Sequence, residues 1–457
     1  MSKSKIITVP NPILKEKTAR VGQFSDELRN QIHQMVEALH TEGGIGIAAN
    51  QLGYKNQVIA IEFADLKNKD EPEHIPLTIF INPEIVEYSE DKGCFDEGCL
   101  SVPKIELEIE RPTTLKLKYE DERGNRLKIA PKGLLARILQ HEIDHLNGII
   151  FTERAKENLF RKSPKLKEIK IAFFGTGEFA SIILEGLIHL GLNITIYTEE
   201  AKNAGRGGNL KPSPVSLRAQ KFGRKVNEIS DIKTAKIANF DLLICADFGQ
   251  KIPAEILRKA KIEAINLHPS LLPKFRGPSP IQTAILRGET ISGVSIIKMT
   301  PEIDEGPILA QIETEIKPND DHLSLRDKLA TLGLKLLIKM LPDMVAGKIQ
   351  AIPQPSGATM THKFKKEDGE IDWKKPVEEI ERQIRALHPW PRTYTFIDHK
   401  RLIIHLAHIE KDQLMLDLIQ LEGKNSTDFR SFLRGWHGEK PEWFDKVKII
   451  DKFPEIR

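Results

Sequence analysis

Cysteine is scarce in this chain: only Cys94, Cys99 and Cys245 occur in 457 residues. They are too few and too scattered for a disulfide framework, so a reducing, cytoplasmic compartment is expected. A thiolate that binds metal needs the same compartment. No apolar run of about eighteen residues occurs, which argues against a membrane-spanning helix and for no membrane partner. The opening Met1-Ser2-Lys3-Ser4-Lys5 lacks the apolar core of a secretion signal. Excess charge is missing too. A net charge of +3 gives no global pull toward nucleic acid, although a local basic surface is compatible with it. What remains is ordinary for globular chains, with 40% hydrophobic and 29% charged residues. The length suggests roughly two to four domains, each large enough to bury a core.

Against that plain background stands Gln140-His141-Glu142-Ile143-Asp144-His145. A helix turns once in about 3.6 residues, so histidines four apart share a face. Both imidazoles can reach one metal ion, and Glu142 sits beside it as a general base. About forty residues earlier, Glu97-Gly98-Cys99-Leu100-Ser101 offers a thiolate as third ligand. Cys99, His141 and His145 leave a fourth position for water, which marks a catalytic site rather than a structural one. The bland alternative is a chance H-E-x-x-H on an ordinary helix. Cys94 has two readings, a fourth ligand closing a zinc site or a small buried residue, and the second is expected.

Around these motifs the patterning reads as α+β. Leu28, Ile32, Met35, Val36 and Leu39 have helical spacing and form a core-facing stripe. Segments 57–63 and 78–88 read as strands, as do Leu107–Glu110 and Thr114–Tyr119, which alternate with period two. Asp121–Asn125 is a turn. The helix of the histidines runs from about Lys132 to Leu146 and stops at Asn147-Gly148.

The motif Gly44-Ile45-Gly46-Ile47-Ala48-Ala49-Asn50-Gln51, then E-G-C-L-S, then Q-H-E-I-D-H resemble the three motifs of the peptide deformylases, in order and at family-like spacing. Val9-Pro10-Asn11-Pro12-Ile13-Leu14 resembles that family's start. The resemblance covers about residues 1–160. It implies hydrolysis of N-formyl-methionyl peptides to formate and a free N-terminus. It implies Fe²⁺ as the metal, with Zn²⁺, Ni²⁺ or Co²⁺ as alternatives. It implies Gln51 and the backbone N–H of Leu100 as oxyanion donors, and strand pairing of the peptide along Gly44, Ile45 and Gly46. After Pro103 the sequence Lys104-Ile105-Glu106 departs from the glycine and arginine many members carry.

Residues 153–167 are charged and read as a tether without a core stripe, with a basic strip touching RNA as the alternative. Pro164 disfavours helix at Ser163.

Ile169–Phe174, the turn Gly175-Thr176-Gly177, an apolar helix through Leu190 and Ile194–Tyr197 then open an α/β sheet. The turn also permits a dinucleotide reading. Asp241–Ala246 and Ala264–His268 are further strands. Asn266 and His268, two apart on a strand, point to one side at its C-terminal end, where open α/β sheets bind ligands.

The string N-L-H-P-S-L-L-P-K-F-R-G-P-S-P, from Asn266, resembles the signature of the folate-dependent formyltransferases. Met299–Leu309 resembles the segment that brings their catalytic aspartate, here Asp304. The resemblance implies formyl transfer from 10-formyltetrahydrofolate to an amine. Asn266 would meet the oxyanion, His268 would shuttle protons and Asp304 would orient it. Ser270, Leu271, Leu272 and Pro273 are implied as folate contacts. The loop 204–215 resembles the tRNA-contacting loop of the methionyl-tRNA formyltransferases, with Arg206 at its key arginine, but Gly208 and Asn209 stand where further lysines are frequent. Glu370–Trp373 and Ile384–Pro391 resemble that family's tail, which implies a small OB-like barrel that helps hold tRNA. Strands are expected at 402–405, 414–417 and 447–450, with a charged, tryptophan-bearing insert at 426–446 that makes the barrel irregular.

The expected organisation is thus multidomain. An α+β metallohydrolase domain spans 1–163, a Rossmann-like α/β formyltransferase domain 164–350, and an OB-like tRNA-binding β-barrel 351–457. The expected partners are initiator methionyl-tRNA and nascent formyl-methionyl peptides near the ribosome. One rival is that only one half is active and the other tethers or binds RNA. Another is an amino-sugar acceptor.

Overall fold

The computed structural model describes residues 5–64, 74–204 and 209–447. The chain divides into two compact units, one of residues 1–169, 184–194 and 216–226, the other of 170–183, 195–215 and 227–457.

In the first unit α1 (Asp26–Glu42) starts at Ser25, whose hydroxyl accepts from Leu28 N, and carries acids in its first turn. Its Leu28, Ile32, Met35 and Leu39 are buried, as their spacing requires. The strands are β1 (Gly46–Ala48), β2 (Val58–Ala64), β3 (His74–Tyr88), β4 (Lys92–Cys99), β5 (Val102–Pro112), β6 (Leu115–Glu120) and β7 (Arg126–Ile129). One sheet has the order β1-β2-β3-β6-β7, with β1 at its edge, and β4 and β5 pair as a separate hairpin. Leu115 and Leu117 of β6 are buried while Lys116 and Lys118 are exposed, the alternation of a strand with one wet face. Next comes α2 (Gly133–Leu146), the helix of the two histidines. Its Ala136, Ile138, Leu139, Ile143 and Leu146 pack against Ile59, Ile61, Phe80, Leu115 and Leu117 of the sheet. Each fully buried Leu or Ile there contributes about 1.5–3 kcal/mol.

Two expectations are corrected here. Residues 153–167 are not a bare tether. They belong largely to α3 (Phe151–Lys162) and a short 3-10 turn, Pro164–Lys167, and Phe151, Ala155 and Leu159 are buried at four-residue spacing. That stripe starts at Phe151, ahead of the charged run, which hid it. Helix α3 packs on β5. Cys94 is exposed rather than buried, because it sits on an outward position of the hairpin strand β4.

In the second unit the sheet has the order β12-β9-β8-β13-β14-β15-β16. Its strands are β8 (Lys170–Gly175), β9 (Asn193–Glu199), β12 (Val226–Ile229), β13 (Leu242–Ala246), β14 (Glu263–His268), β15 (Ile291–Lys298) and β16 (Ile308–Glu315); β10 (Lys202–Ala204) and β11 (Asn209–Lys211) form a small hairpin. Strands β8, β13 and β14 are parallel, with Cys245 beside both Phe174 and Asn266, whereas β15 and β16 run antiparallel. Parallel strands buried on both faces read as continuous apolar runs, and Leu242–Ala246 is buried throughout. The helices are α4 (Glu178–His189), α5 (Pro214–Lys221), α6 (Ala254–Leu257), α7 (Pro280–Leu286) and α8 (His322–Val345). Asp321 caps α8 in a reciprocal box with Ser324.

The last part holds α9 (Val377–Leu387), β17 (Thr393–Ile397), β18 (Lys400–Glu410), β19 (Gln413–Leu421), β20 (Thr427–Asp428) and α10 (Phe429–Arg434). Among the described residues these strands make an open antiparallel sheet, β17-β18-β19-β20. The insert at 426–446 contributes Phe429, Trp443 and Phe444 to the core, with Trp443 stacked on Trp373 at 4.9 Å. Its aromatic side chains drive that burial, so it is a packed cover rather than an interruption. Of the strand expected at 447–450, Val447 bridges Leu414 and the rest lies outside the described residues.

Candidate active sites

Helix α2 presents His141 and His145 on one face, and the end of β4 presents Cys99 toward them. The ligand atoms of Cys99, His141 and His145 all lie within 4.8 Å of one another, with Cys99 Sγ 3.1 Å from His145 Nε2. His141 is held through Nδ1 by Glu97 Oε2 at 3.0 Å, which leaves Nε2 for a ligand. Burial alone would raise the Cys99 thiol, but the two histidines hold it well below its usual range. Burial pushes the Glu142 carboxyl up, and its Oε2 is buried without a hydrogen-bond partner. An enclosed thiolate, two imidazoles on one side and an unpartnered carboxyl oxygen fit a divalent cation with its water.

Glu97, in the E-G-C-L-S motif, has a structural role its position in the sequence does not announce. It is buried and takes a two-pronged bond from Arg111, Nε to Oε1 at 2.7 Å and Nη2 to Oε2 at 3.0 Å, with Arg137 at 2.5 Å. Arg111 continues to Asp144 at 2.7 Å, and Arg154 closes the chain on Asp144 at 2.7 Å. Burial opposes the Glu97 charge, but His141 and Arg111 hold its carboxyl down to about 2.

Gln51 is buried. Its Oε1 accepts from Ala48 N at 2.8 Å, so its amide points at Ser101 Oγ, 3.2 Å, and toward Cys99 Sγ, 3.6 Å. Leu100 follows Cys99 in the turn after β4 and is half-buried. Of the expected peptide residues, Gly46 lies in β1, while Gly44 and Ile45 precede it. A Cβ at Gly46 would lie 2.7 Å from Glu142 Oε1, so only glycine lets the carboxyl approach the strand.

In the second unit Asn266 and His268 share one side of β14, and His268 is buried. His268 Nε2 bonds the carbonyl of Phe275 at 2.8 Å. Asp304 gathers the rest: Oδ1 accepts from Asn266 Nδ2 at 3.2 Å, Oδ2 accepts from Gly277 N at 2.9 Å and lies 3.5 Å from His268 Nδ1. The three expected residues therefore meet, and they line a cavity of about 690 Å³ together with Phe248, Met299 and Met360. The cavity lies beyond the C-terminal ends of β13 and β14.

Asp247, in the same cavity, was not anticipated. It has a left-handed backbone (φ +45°) and is exposed. The turn Ser270–Pro273 is not brought to the cavity wall. Ser270 Oγ bonds Lys274 O at 2.7 Å, and Leu272 is buried with its N on Ser295 Oγ at 3.0 Å. Arg206 lies outside the described residues.

The comparisons agree in outline. The family model for polypeptide deformylase matches residues 3–160, that for formyl transferase 169–341, and that for the formyl transferase C-terminal domain 363–414. A methionyl-tRNA formyltransferase from Geobacillus sp. (strain WCH70) is 42% identical over 235 residues, covering 50% of this chain and 74% of the relative. One from Agathobacter rectalis is 33% identical over 308 residues, covering 60% of this chain and 99% of the relative. Among solved structures, a peptide deformylase from Acinetobacter baumannii is 34% identical, covers 34% of this chain and 99% of its own, and has a TM-score of 0.32. One from Synechococcus elongatus is 38% identical with 34% and 82% covered and a TM-score of 0.31. The chain belongs to the methionyl-tRNA formyltransferase family through its C-terminal two thirds and carries a polypeptide deformylase domain ahead of it.

Proposed function

We propose that the two activities of this chain, peptide deformylation and methionyl-tRNA formylation, run at the two sites described above, with the following residue roles. The observation that carries the reading is that each site assembles a complete set: ligands plus base in one, oxyanion donor plus histidine and carboxylate in the other. We assign residues 1–163, 164–350 and 351–457 to the deformylase, the Rossmann-like formyltransferase and the OB-like tRNA-binding domain.

In the deformylase site Cys99, His141 and His145 would hold the metal, Fe²⁺ by family resemblance, which supplies an activated water when bound. Glu142, neutralised with ease because it is buried, takes the proton from the attacking water and delivers it to the leaving amine. The Gln51 amide and the Leu100 N–H meet the oxyanion. The formyl-methionyl peptide adds as a strand to the edge at β1.

In the formyltransferase site the amine of methionyl-tRNA attacks the formyl carbon of 10-formyltetrahydrofolate. Asn266 donates to the oxyanion, and His268 moves the proton from the attacking amine toward the departing folate nitrogen. Asp304 orients both. Arg206 is assigned to tRNA phosphate. The reactions belong in the cytoplasm, on initiator methionyl-tRNA and on nascent chains at the ribosome.

The test is to assay both reactions on the purified full chain while measuring bound metal. Formylation of methionyl-tRNA and metal-dependent formate release from a formyl-methionyl tripeptide are both expected; loss of either from a metal-loaded, folded preparation refutes the two-site reading.

A further inference from the structure

The segment that leads from β16 and α8 toward α9 crosses back over the loop that follows β14 and the loop that carries Asp304. Ile352 pairs with Ile308 through both backbone bonds, at 2.7 and 2.8 Å, and Met360 bridges Arg276. Between those two anchor points stands Gln354, half-buried. Its Nε2 donates to two carbonyls, Asp304 O at 2.7 Å and Gly306 O at 2.8 Å. Its Oε1 accepts from Arg276 Nη2 at 2.8 Å and from Nε at 3.2 Å. Carbonyls only accept and guanidinium only donates, so the amide has one orientation and uses both its hydrogens and both its lone pairs.

The residue it holds is under strain. Asp304 has a left-handed backbone, φ +55°. Outside glycine that conformation is uncommon and persists where neighbours hold it. Phe275, whose carbonyl holds His268 Nε2, is also left-handed, φ +62°. The same crossing segment holds it: Phe275 N donates to Thr359 Oγ1 at 2.8 Å, Arg276 N to Thr359 O at 2.9 Å, and Thr361 N to Arg276 O at 2.7 Å. Thr361 Oγ1 also donates to Arg276 O at 2.9 Å. Gly277, whose N–H bonds Asp304 Oδ2, has φ +99°, and a Cβ there would lie 2.9 Å from Thr361 Oγ1. Both partners that fix the His268 ring, the Phe275 carbonyl and the Asp304 carboxylate, are therefore clamped from one strap.

We propose that Gln354, with Thr359, is a positioning residue for the formyl transfer, setting the distance and angle between His268 and Asp304 from the segment that enters the C-terminal part of the chain. This rests on the roles assigned above to His268 and Asp304. It also gives the C-terminal part a direct mechanical line to the reacting groups, since the strap continues straight into it.

The experiment uses the full chain and four variants, Gln354→Glu, Gln354→Ala, Thr359→Val and Thr359→Ser, with Asp304→Asn as reference. Gln354→Glu can still accept from Arg276 but cannot donate to the two carbonyls. A misplacement on the order of 1 Å costs about 10²-fold, so kcat for tRNA formylation should fall by roughly 10- to 100-fold in both Gln354 variants and in Thr359→Val. KM for methionyl-tRNA and for the formyl donor should stay within about threefold, because uniform binding is untouched. Thr359→Ser should restore the rate by restoring the hydroxyl. Formate release by the deformylase site serves as the internal control and should not change. Three results overturn the proposal: kcat within twofold of wild type in both Gln354 variants, a rise in KM at unchanged kcat, or a loss in Thr359→Ser equal to that in Thr359→Val. If Gln354 variants do not fold, the Thr359 pair decides alone. Near-wild-type kcat in Asp304→Asn would instead remove the catalytic reading beneath the proposal, and the proposal with it.

Discussion

His268 donates from Nε2 to the carbonyl of Phe275 at 2.8 Å, so Nδ1 is the edge that faces Asp304 Oδ2, 3.5 Å away. A carbonyl cannot donate, so the proton sits on Nε2. The ring is thereby held in one orientation, with Nδ1 and the carboxylate sharing the cavity. Asp304 spans His268 and Asn266 with its two oxygens, so one side chain touches both.

His268→Gln and Asp304→Asn should each lower tRNA formylation by about 10²–10⁴-fold, the usual range for a positioned acid–base group. Formate release from a formyl-methionyl tripeptide should be unchanged. Parallel assays on one preparation check this, and a fall in both reactions would break the two-site assignment.

Glu142→Gln should keep bound metal at wild-type stoichiometry and lose about 10²–10⁴-fold in deformylation. Cys99→Ala should lose the metal as well as the activity, because only two ligands remain. Elemental analysis of the two variants separates base from ligand.

The Glu97–Arg111–Asp144 network makes a distinct prediction. Glu97→Ala leaves Arg111 buried beside one carboxylate instead of two and frees the His141 ring. Removing one partner of a buried pair costs about 3–5 kcal/mol, and losing a ligand's outer partner costs about 10–100-fold in metal affinity. Thermal unfolding and a chelator competition measure the two effects. Unaltered metal affinity in Glu97→Gln would show that the network only stabilises the fold.

His322 lines the formyltransferase cavity, and burial together with the neighbouring Arg326 pushes its pKa from 6.5 down to about 4. The folded state disfavours the protonated ring, so the stability it contributes is present above pH 6.5 and is lost as the pH falls from there through about 4. That displacement corresponds to on the order of 3 kcal/mol. The Tm of wild type minus that of His322→Asn should be flat above pH 7 and should fall between pH 6.5 and 4. A pH-independent difference would contradict the assignment.

The two activities should not cancel on tRNA. Strand β1 is a sheet edge, and a peptide that pairs with it gains backbone bonds that formyl-methionyl-tRNA, an ester with a nucleotide in place of that backbone, cannot make. Formate release from formyl-methionyl-tRNA should be at least about tenfold slower than from the tripeptide, measured where the ester survives. Equal rates would mean that something other than strand pairing selects the substrate.

Parts whose geometry is local follow from residue spacing alone. His141 and His145 share a helix face because they are four apart, and Asn266 and His268 share a strand face because they are two apart. The order of apolar runs announced the parallel strands β8, β13 and β14, because strands covered on both faces cannot alternate. The charge of residues 153–167 masks the buried stripe of α3, which begins just ahead of them at Phe151. The tertiary structure alone decided which distant side chains meet. Arg111 reaches both Glu97 and Asp144, and Gln354 reaches the carbonyl of Asp304 fifty residues away. It also decided that Phe429, Trp443 and Phe444 cover an open sheet. The physical reason is common to all of these. A buried charge or amide is stable only when its partners converge, and convergence depends on how whole elements pack, which no local period encodes.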